Sequence, residues 1–474
     1  MNKWWEAETN LITWGFFNGD VDHDKRQLEF YKRIGAKVAD RGFSYPHYND
    51  TVSIGTEKAD FFHKHGIHVN SFTSVKDWKL NDVPQMIKSA CLHIDDGADG
   101  VHFDIFNCSE NDNPKIIAAI GEMTKSIKNY AMSEYGREVC FTGNLWMITD
   151  RVSLGIAYYT DVIWAESFGY GEGEIIRAFR LGRSVGGYDK PVWYHWQPND
   201  DEKRRVDKLK NLVKSLFASC LFESALFLCN PAYPCFDTEG EDRSQEFFGK
   251  WGVWSFAYIN DGWRKGLYQY SDFLRKNGEF YQNYIPKAPL LIAFTPNDLN
   301  LANDCMDILL AKNIQYEPVV YGENPFGPFS RHPFDGGFTH ALYIGKTPEN
   351  NYFPEKDSYA VASLEDMNRL IPELSLREKD FLRMENSSCV WGRVMKKNDI
   401  TLLHLLHVGY NDDIDNMDTT DGFDVSLVVS SVKKVTLISP DSYGEINLPF
   451  HHKDNVVSFM IPGVQYYSLV VITK

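Results

Sequence analysis

Along residues 96–110 the chain reads "DGADGVHFDIFNCSE", in which apolar residues alternate with polar ones and then give way to Asp104 and further polar residues. Alternation with period two is the mark of a strand with two differently solvated faces. The same texture recurs at "LITWGFF" (11–17), "AKVADRGF" (36–43), "GIHVNSF" (66–72), "VCFTGNL" (139–145), "DVIWAESF" (161–168), "PVWYHW" (191–196) and "ALFLCNP" (225–231), which makes eight predicted strands with the first. Between them the apolar period lengthens to that of a helix. In "NPKIIAAIGEMTKSIKNYAMSEYG", Asn113 and Pro114 suit an N-terminus, Ile116, Ile120, Met123, Ile127 and Tyr130 share a face, and Gly136 ends it. In "DDEKRRVDKLKNLVKSLFASC", Val206, Leu209, Val213, Leu216 and Cys220 align, with acidic residues at the end where the helix dipole favours them.

Eight strand–helix units predict a (β/α)8 barrel over residues 1–285, with a doubly wound open sheet as runner-up. No Gly-rich phosphate loop follows the first strand, which argues against the open sheet. The pattern then changes. "LLIAFTP", "NLANDCMDILLAKN", "YEPVVYG" and "THALYIG" predict a small α/β module over 286–385, crossed by the Pro- and Gly-rich loop "YGENPFGPFSRHPFDGG". From 386 to 474 the alternation returns in "CVWGRVMKK", "ITLLHLLHV", "FDVSLVVS", "KKVTLISPD", "NVVSFMIPG" and "YYSLVVITK", joined by polar turns, and predicts a C-terminal antiparallel β-sandwich.

The 474 residues are 43% hydrophobic, 14% aromatic and 24% charged, an ordinary globular composition. Asp and Glu number 65 against 49 Lys and Arg, and the net charge of -16 repels polyphosphate and anionic lipid, so neither nucleic acid nor a membrane is an expected partner. No window approaches the ~20 apolar residues of a membrane span, and "MNKWWEAETN" is unlike a secretion signal. The eight cysteines are scattered, and Cys91, Cys220 and Cys229 sit in apolar runs, so a reducing, cytoplasmic setting is expected. Homo-oligomerisation stays open.

A barrel of this type presents its reactive groups where strands end at the C-terminal face. Three predicted strand ends are polar: the fourth with His102 and Asp104, the fifth with Asn144 and Trp146, and the sixth with Trp164 and Glu166, followed by Phe168 and Tyr170. Two carboxyl groups on one rim, among aromatics, are the apparatus for cleaving a glycosidic bond: one attacks the anomeric carbon, the other passes a proton to the leaving oxygen. A structural reading, each acid capping a helix or pairing with an Arg, competes for either acid alone and weakens for the two together. Trp14, Trp146, Trp164, Tyr170 and Trp196 are candidates to stack on sugar faces, and His102, Asn144 and His195 to orient hydroxyls. No metal or other cofactor is expected: the first strand lacks the alternating histidines of a barrel metallohydrolase, and no H-E-x-x-H occurs. His404 and His407 stand at odd spacing on a sandwich strand and read as structural. The "FTPND" stretch of the module has no phosphate-cradling glycines after it, so packing or assembly is the expected role there.

"DGVHFDIF", "TDVIWAESF" and the tail running from "WGRVMKKNDITLLHLLHV" to "VVSFMIPGVQYYSLVVI" resemble glycoside hydrolase family 66, the dextranases and cycloisomaltooligosaccharide glucanotransferases. The resemblance implies a nucleophilic Asp ending the fourth strand and an acid/base Glu ending the sixth, which fall on Asp104 and Glu166. It also implies an α-linked glucan or oligosaccharide as substrate. The 286–385 module lies outside that pattern and is similar to the α/β domain that follows the barrel in some β-galactosidases. Two rival functions are a transglycosylase of the same mechanism, separable by product analysis at high substrate concentration, and a non-catalytic carbohydrate-binding or scaffolding barrel, which would bind sugar with no turnover to lose.

Overall fold

The computed structural model describes residues 3–6, 11–14, 21–40, 48–49, 55–104, 108–110, 113, 115–145, 147–168, 171–197, 211–229, 261–322, 326, 337–345, 357–387, 389–411, 413–442 and 444–474. Strands and helices alternate through the first part of the chain: β1 (Leu11–Trp14), α1 (Val21–Ile34), β2 (Ala36–Asp40), α2 (Thr56–His63), β3 (His68–Ser74), α3 (Val83–Asp95), β4 (Gly100–Asp104), α4 (Lys115–Tyr135), β5 (Cys140–Asn144), α5 (Arg151–Tyr159), β6 (Val162–Phe168), α6 (Glu172–Gly186), β7 (Val192–Gln197), α7 (Leu212–Phe222), β8 (Leu226–Cys229) and α8 (Asp261–Asn277). The eight strands are parallel and close into a barrel, β8 pairing back onto β1 through Ile12↔Leu228 and Thr13↔Cys229. The (β/α)8 barrel is therefore present, and the open-sheet alternative is not. In α4 the apolar stripe Ile116, Ile120, Met123 and Ile127 is fully buried, Asn113 Oδ1 accepts from Lys115 N at 3.0 Å, and Gly136 leaves the helix at φ 62. In α7, Val213, Leu216 and Cys220 are buried; Val206 and Leu209 lie outside the described residues.

The chain packs as two compact units. One holds Met1–Tyr170, Asp189–Lys210 and Ala225–Arg275, and with them all eight barrel strands. Its N-terminal turn, Trp4–Glu6, stacks Trp4 on His68 at 4.6 Å and sets it 6.4 Å from Trp193, both near the beginnings of their strands. Asp99, just ahead of β4, accepts from Val69 N at 2.9 Å and meets His63 at 2.7 Å. Burial works to raise its carboxyl, but the hydrogen bonds from His63 and His68 outweigh it and hold it well below the usual range.

The other unit holds Gly171–Tyr188, Asn211–Ser224 and Lys276–Lys474. A parallel sheet of four strands, in the order β11 (Tyr316–Val320), β10 (Leu290–Phe294), β12 (His340–Ile344), β13 (Asp357–Val361), carries α9 (Leu299–Ala311) and α10 (Leu364–Glu378) and forms the α/β module. Two antiparallel sheets follow. One contains β14 (Leu382–Glu385), β17 (Phe423–Val428), β21 (Val456–Ile461) and β20 (Phe450–Lys453); the other contains β19 (Glu445–Asn447), β18 (Lys434–Ile438), β22 (Tyr467–Thr473), β16 (Ile400–His407), β15 (Val390–Lys397) and the short β9 (Ile285–Pro286). Val394, Leu403, Leu405, Val425, Leu427, Val457, Phe459, Val470 and Ile472 form the core of this sandwich, each such side chain contributing about 1.5–3 kcal/mol by leaving water.

β16 is buried on both faces, which explains its nearly unbroken apolar run. Leu403 and Leu405 enter the sandwich core, while His404 on the other face meets the Leu221 carbonyl of α7 at 3.1 Å. His407 donates to the Gln465 carbonyl at 2.8 Å, so both histidines are occupied with backbone. Helix α6 is buried nearly all round and carries Arg177, Arg180 and Arg183 at intervals of three. Arg177 pairs with Asp307, Arg180 donates to Glu223 at 2.7 Å, and Arg183 donates to the carbonyls of Glu223 and Ser224 beyond the end of α7. Arg393 of β15 reaches the same Glu223 at 3.3 Å and also pairs with Glu317, which accepts from Tyr188. Burial opposes the Arg393 charge, but the two carboxylates outweigh it and raise its pKa; for Arg183 burial outweighs the Glu223 charge and lowers the pKa to about 10.

Candidate active site

β4, β5 and β6 adjoin one another in the barrel, with Gly100↔Cys140 and Asn144↔Trp164 in register. Their last inward residues are polar because they leave the packed interior at the C-terminal rim. Asp104 ends β4 and is 4% exposed; Glu166 lies on β6 and is 4% exposed; Asn144 ends β5 between them. Asn144 Nδ2 donates to Asp104 Oδ1 at 2.8 Å and also to Glu166 Oε2. Carboxylates accept only, so the amide nitrogen is the end that faces them. Two hydrogen bonds from one nitrogen hold the two acceptor oxygens within about 6 Å of each other.

Glu166 has a second neighbour. His195, directly across the β6–β7 ladder, places Nδ1 at 3.3 Å from Oε1. The carboxyl is thus held from two sides, by Asn144 and by His195. His102, two residues before Asp104, is 1% exposed and sits with its ring centroid 4.0 Å from Trp164 and 5.2 Å from Phe72. Its Nδ1 lies 3.2 Å from Asp40 Oδ2 and 3.3 Å from Oδ1. Asp40, the last residue of β2, also accepts from Asn70 Nδ2 at 2.7 Å, and Asn70 reaches Thr142 Oγ1 at 3.3 Å. Gly100 makes room for this amide: a Cβ there would stand 2.4 Å from Asn70 Oδ1. Trp164 and Trp193 pack edge to face at 5.8 Å below the carboxyl pair, and Trp196 is 3% exposed.

Of the residues singled out in the sequence, Asp104, Glu166, Asn144 and His195 meet in one connected group, and His102 and Trp164 pack against each other at a tilt beside it. Trp14 ends β1, and its side chain is not among those described; Trp146 and Tyr170 lie outside the described residues. Asp40 and Asn70 were not singled out. The signal for Asp40 was the same as for Asp104, an acid closing an apolar strand in "AKVAD".

No family model matches the chain, and no curated protein matches it in sequence. Solved structures match in fold. The α-L-fucosidase isoenzyme 2 of Paenibacillus thiaminolyticus aligns with a TM-score of 0.64 at 10% identity, covering 98% of this chain and 99% of that one. A β-galactosidase from Bacillus circulans sp. alkalophilus aligns with a TM-score of 0.59 at 11% identity, over 98% and 99% of the two chains. The cold-adapted β-galactosidase of Rahnella sp. R3 gives 0.56 at 10% identity, over 98% of each. The likeness therefore runs through the barrel, the α/β module and the sandwich alike. Among the described residues no helix is long and apolar enough to cross a membrane.

Proposed function

We propose that this protein is a retaining glycoside hydrolase, with Asp104 as nucleophile and Glu166 as acid/base. The observation that carries the proposal is the single amide of Asn144 shared by two buried carboxyl groups on neighbouring parts of the barrel rim. Burying two acids side by side costs stability, and such pairs cluster at functional sites. The shared donor favours the ~5–5.5 Å carboxyl separation of a retaining pair over the ~6.5–9.5 Å that leaves space for an attacking water. In the first step Asp104 attacks the anomeric carbon while Glu166 gives its proton to the leaving oxygen; in the second, Glu166 takes a proton from water, which releases the sugar from Asp104. Asn144 keeps both carboxyls aligned, and His195 holds Glu166.

The fold supports this reading, since the proteins it aligns with over their whole length are named as a fucosidase and β-galactosidases. The resemblance of "DGVHFDIF" and "TDVIWAESF" to family 66 supports an α-linked glucan or oligosaccharide, in the manner of a dextranase, as the substrate. Asp40, Asp104 and Glu166 make the barrel interior rich in carboxyl groups, so a neutral glycone fits better than a phosphorylated or uronic one. The test is a panel of aryl glycosides and α-glucans against the wild type, Asp104→Ala and Glu166→Ala. The expected result is turnover by the wild type that Asp104→Ala loses almost entirely, with Glu166→Ala surviving best on leaving groups that need no proton. Sugar binding without any turnover would favour the non-catalytic rival, and products longer than the substrate would favour the transglycosylase.

A further inference from the structure

We infer that Asp40 is a positioning residue for sugar recognition: it fixes the imidazole of His102 so that Nε2 is presented to one hydroxyl of the bound glycone. The inference deepens the glycosidase reading and rests on it. Asp40 is fully buried at the end of β2, and its partners are the Asn70 amide and the His102 ring. A carboxylate can only accept, so His102 Nδ1 carries the proton it donates to Asp40, and the ring orientation is set from behind. Phe72 and Trp164 hold the ring on its sides, at 5.2 Å and 4.0 Å.

With Nδ1 occupied and Phe72 and Trp164 against the ring, Nε2 is its remaining polar atom. It is buried and has no hydrogen-bond partner among the described residues. A histidine that merely filled the barrel would leave that buried atom unsatisfied, which is unfavourable, whereas a ligand hydroxyl satisfies it. Strand geometry points the same way, because His102 and Asp104 project from one side of β4 with Cα atoms about 6.6 Å apart. A sugar whose anomeric carbon lies at Asp104 therefore has a ring hydroxyl in reach of His102. The Gly100, Asn70, Asp40 and His102 series forms a buried support for that single contact.

The test uses the full chain, the aryl glycoside that the wild type cleaves best, and the set of its monodeoxy analogues. The wild type is expected to lose ten- to hundredfold in kcat/KM on one analogue in particular. Asp40→Asn should lose a similar factor on the parent glycoside and little more on that analogue, while the remaining analogues fall in parallel in both proteins. An equal loss on every analogue would show a purely structural role and overturn the inference, as would an Asp40→Asn protein with wild-type selectivity. If Asp40→Asn does not fold, as judged by its melting curve, His102→Phe keeps an aromatic ring against Phe72 and Trp164 and is expected to show the same selective pattern. The glycosidase reading fails separately, by absence of wild-type turnover across the panel. In that event calorimetric titration of wild type and Asp40→Asn with D-glucose, L-fucose and the monodeoxy forms of D-glucose decides the inference: it stands if Asp40→Asn selectively loses the contribution of one hydroxyl and falls if it does not.

Discussion

Replacing Asn144 by Asp changes one atom in kind and almost nothing in shape, yet it converts the donor between Asp104 and Glu166 into a third acceptor. Asn144 Nδ2 stands 2.8 Å from Asp104 Oδ1. A charged oxygen placed there meets the Asp104 charge with about 4–6 kcal/mol of repulsion at an effective dielectric constant near 20, before any relaxation. The Glu166 contact adds to it. Relief comes from binding a proton, so the new group's pKa in the folded protein is expected to rise above that of an unfolded Asp. A carboxyl whose folded pKa is raised destabilises the fold increasingly as pH climbs past the unfolded value of about 3.9. At pH 7 the barrel unit of Asn144→Asp should melt about 10–20 °C below wild type, at about 2–4 °C per kcal/mol for a unit of this size. Much of the deficit should vanish at pH 4.5. The assay is a pair of calorimetric scans at the two pH values, with activity on an aryl glycoside measured alongside and expected to fall at least a hundredfold. An Asn144→Asp protein that melts like wild type at both pH values would refute the claim that this amide bridges two carboxyl groups.

In the second unit, Glu223→Gln removes the charge facing both Arg180 and Arg393, and denaturant unfolding should show a loss of about 3–5 kcal/mol, as for breaking a buried pair. Burial, reinforced by the Arg393 charge, lowers the His404 pKa to about 3 from an ordinary 6.5, so the unfolded chain takes up a proton that the folded one does not. Stability of this unit should therefore be full above pH 6.5 and decline toward pH 3 by about 4 kcal/mol, a slope that His404→Gln should flatten in pH-dependent unfolding. Gly100→Ala drives a methyl into the Asn70 amide; kcat/KM is expected to drop at least tenfold while hydrogen exchange at the sandwich strands is unchanged.

The barrel strands were legible as short apolar runs bounded by turn residues, since β3, β4 and β5 are buried on both faces, and the proposed catalytic pair because an acid interrupts the apolar run near each strand's end. β14, β19 and β20 are three or four residues long and largely exposed, and β13 is exposed at most of its positions, so no apolar pattern marks them. Helix α6 was not singled out, and the burial of Arg177, Arg180 and Arg183 depends on carboxylates and carbonyls far away in sequence. His195 was legible as a polar strand residue but not as a partner of Glu166, a pairing that depends on the β6–β7 register. Asp40 carried the same signal as Asp104, and only the placement of His102 gives it meaning.

The most direct measurement of the central claim is chemical rescue by azide, with the configuration of the glycosyl azide read by NMR. Asp104→Ala opens space beneath the anomeric carbon, so azide should attack there and give an azide of inverted configuration together with recovered turnover. Glu166→Ala leaves the nucleophile in place, so azide should enter at the second step and give the retained anomer. Rescue of Asp104→Ala with the retained anomer, or turnover by Asp104→Ala at the wild-type rate without azide, would contradict the assignment of Asp104 as nucleophile.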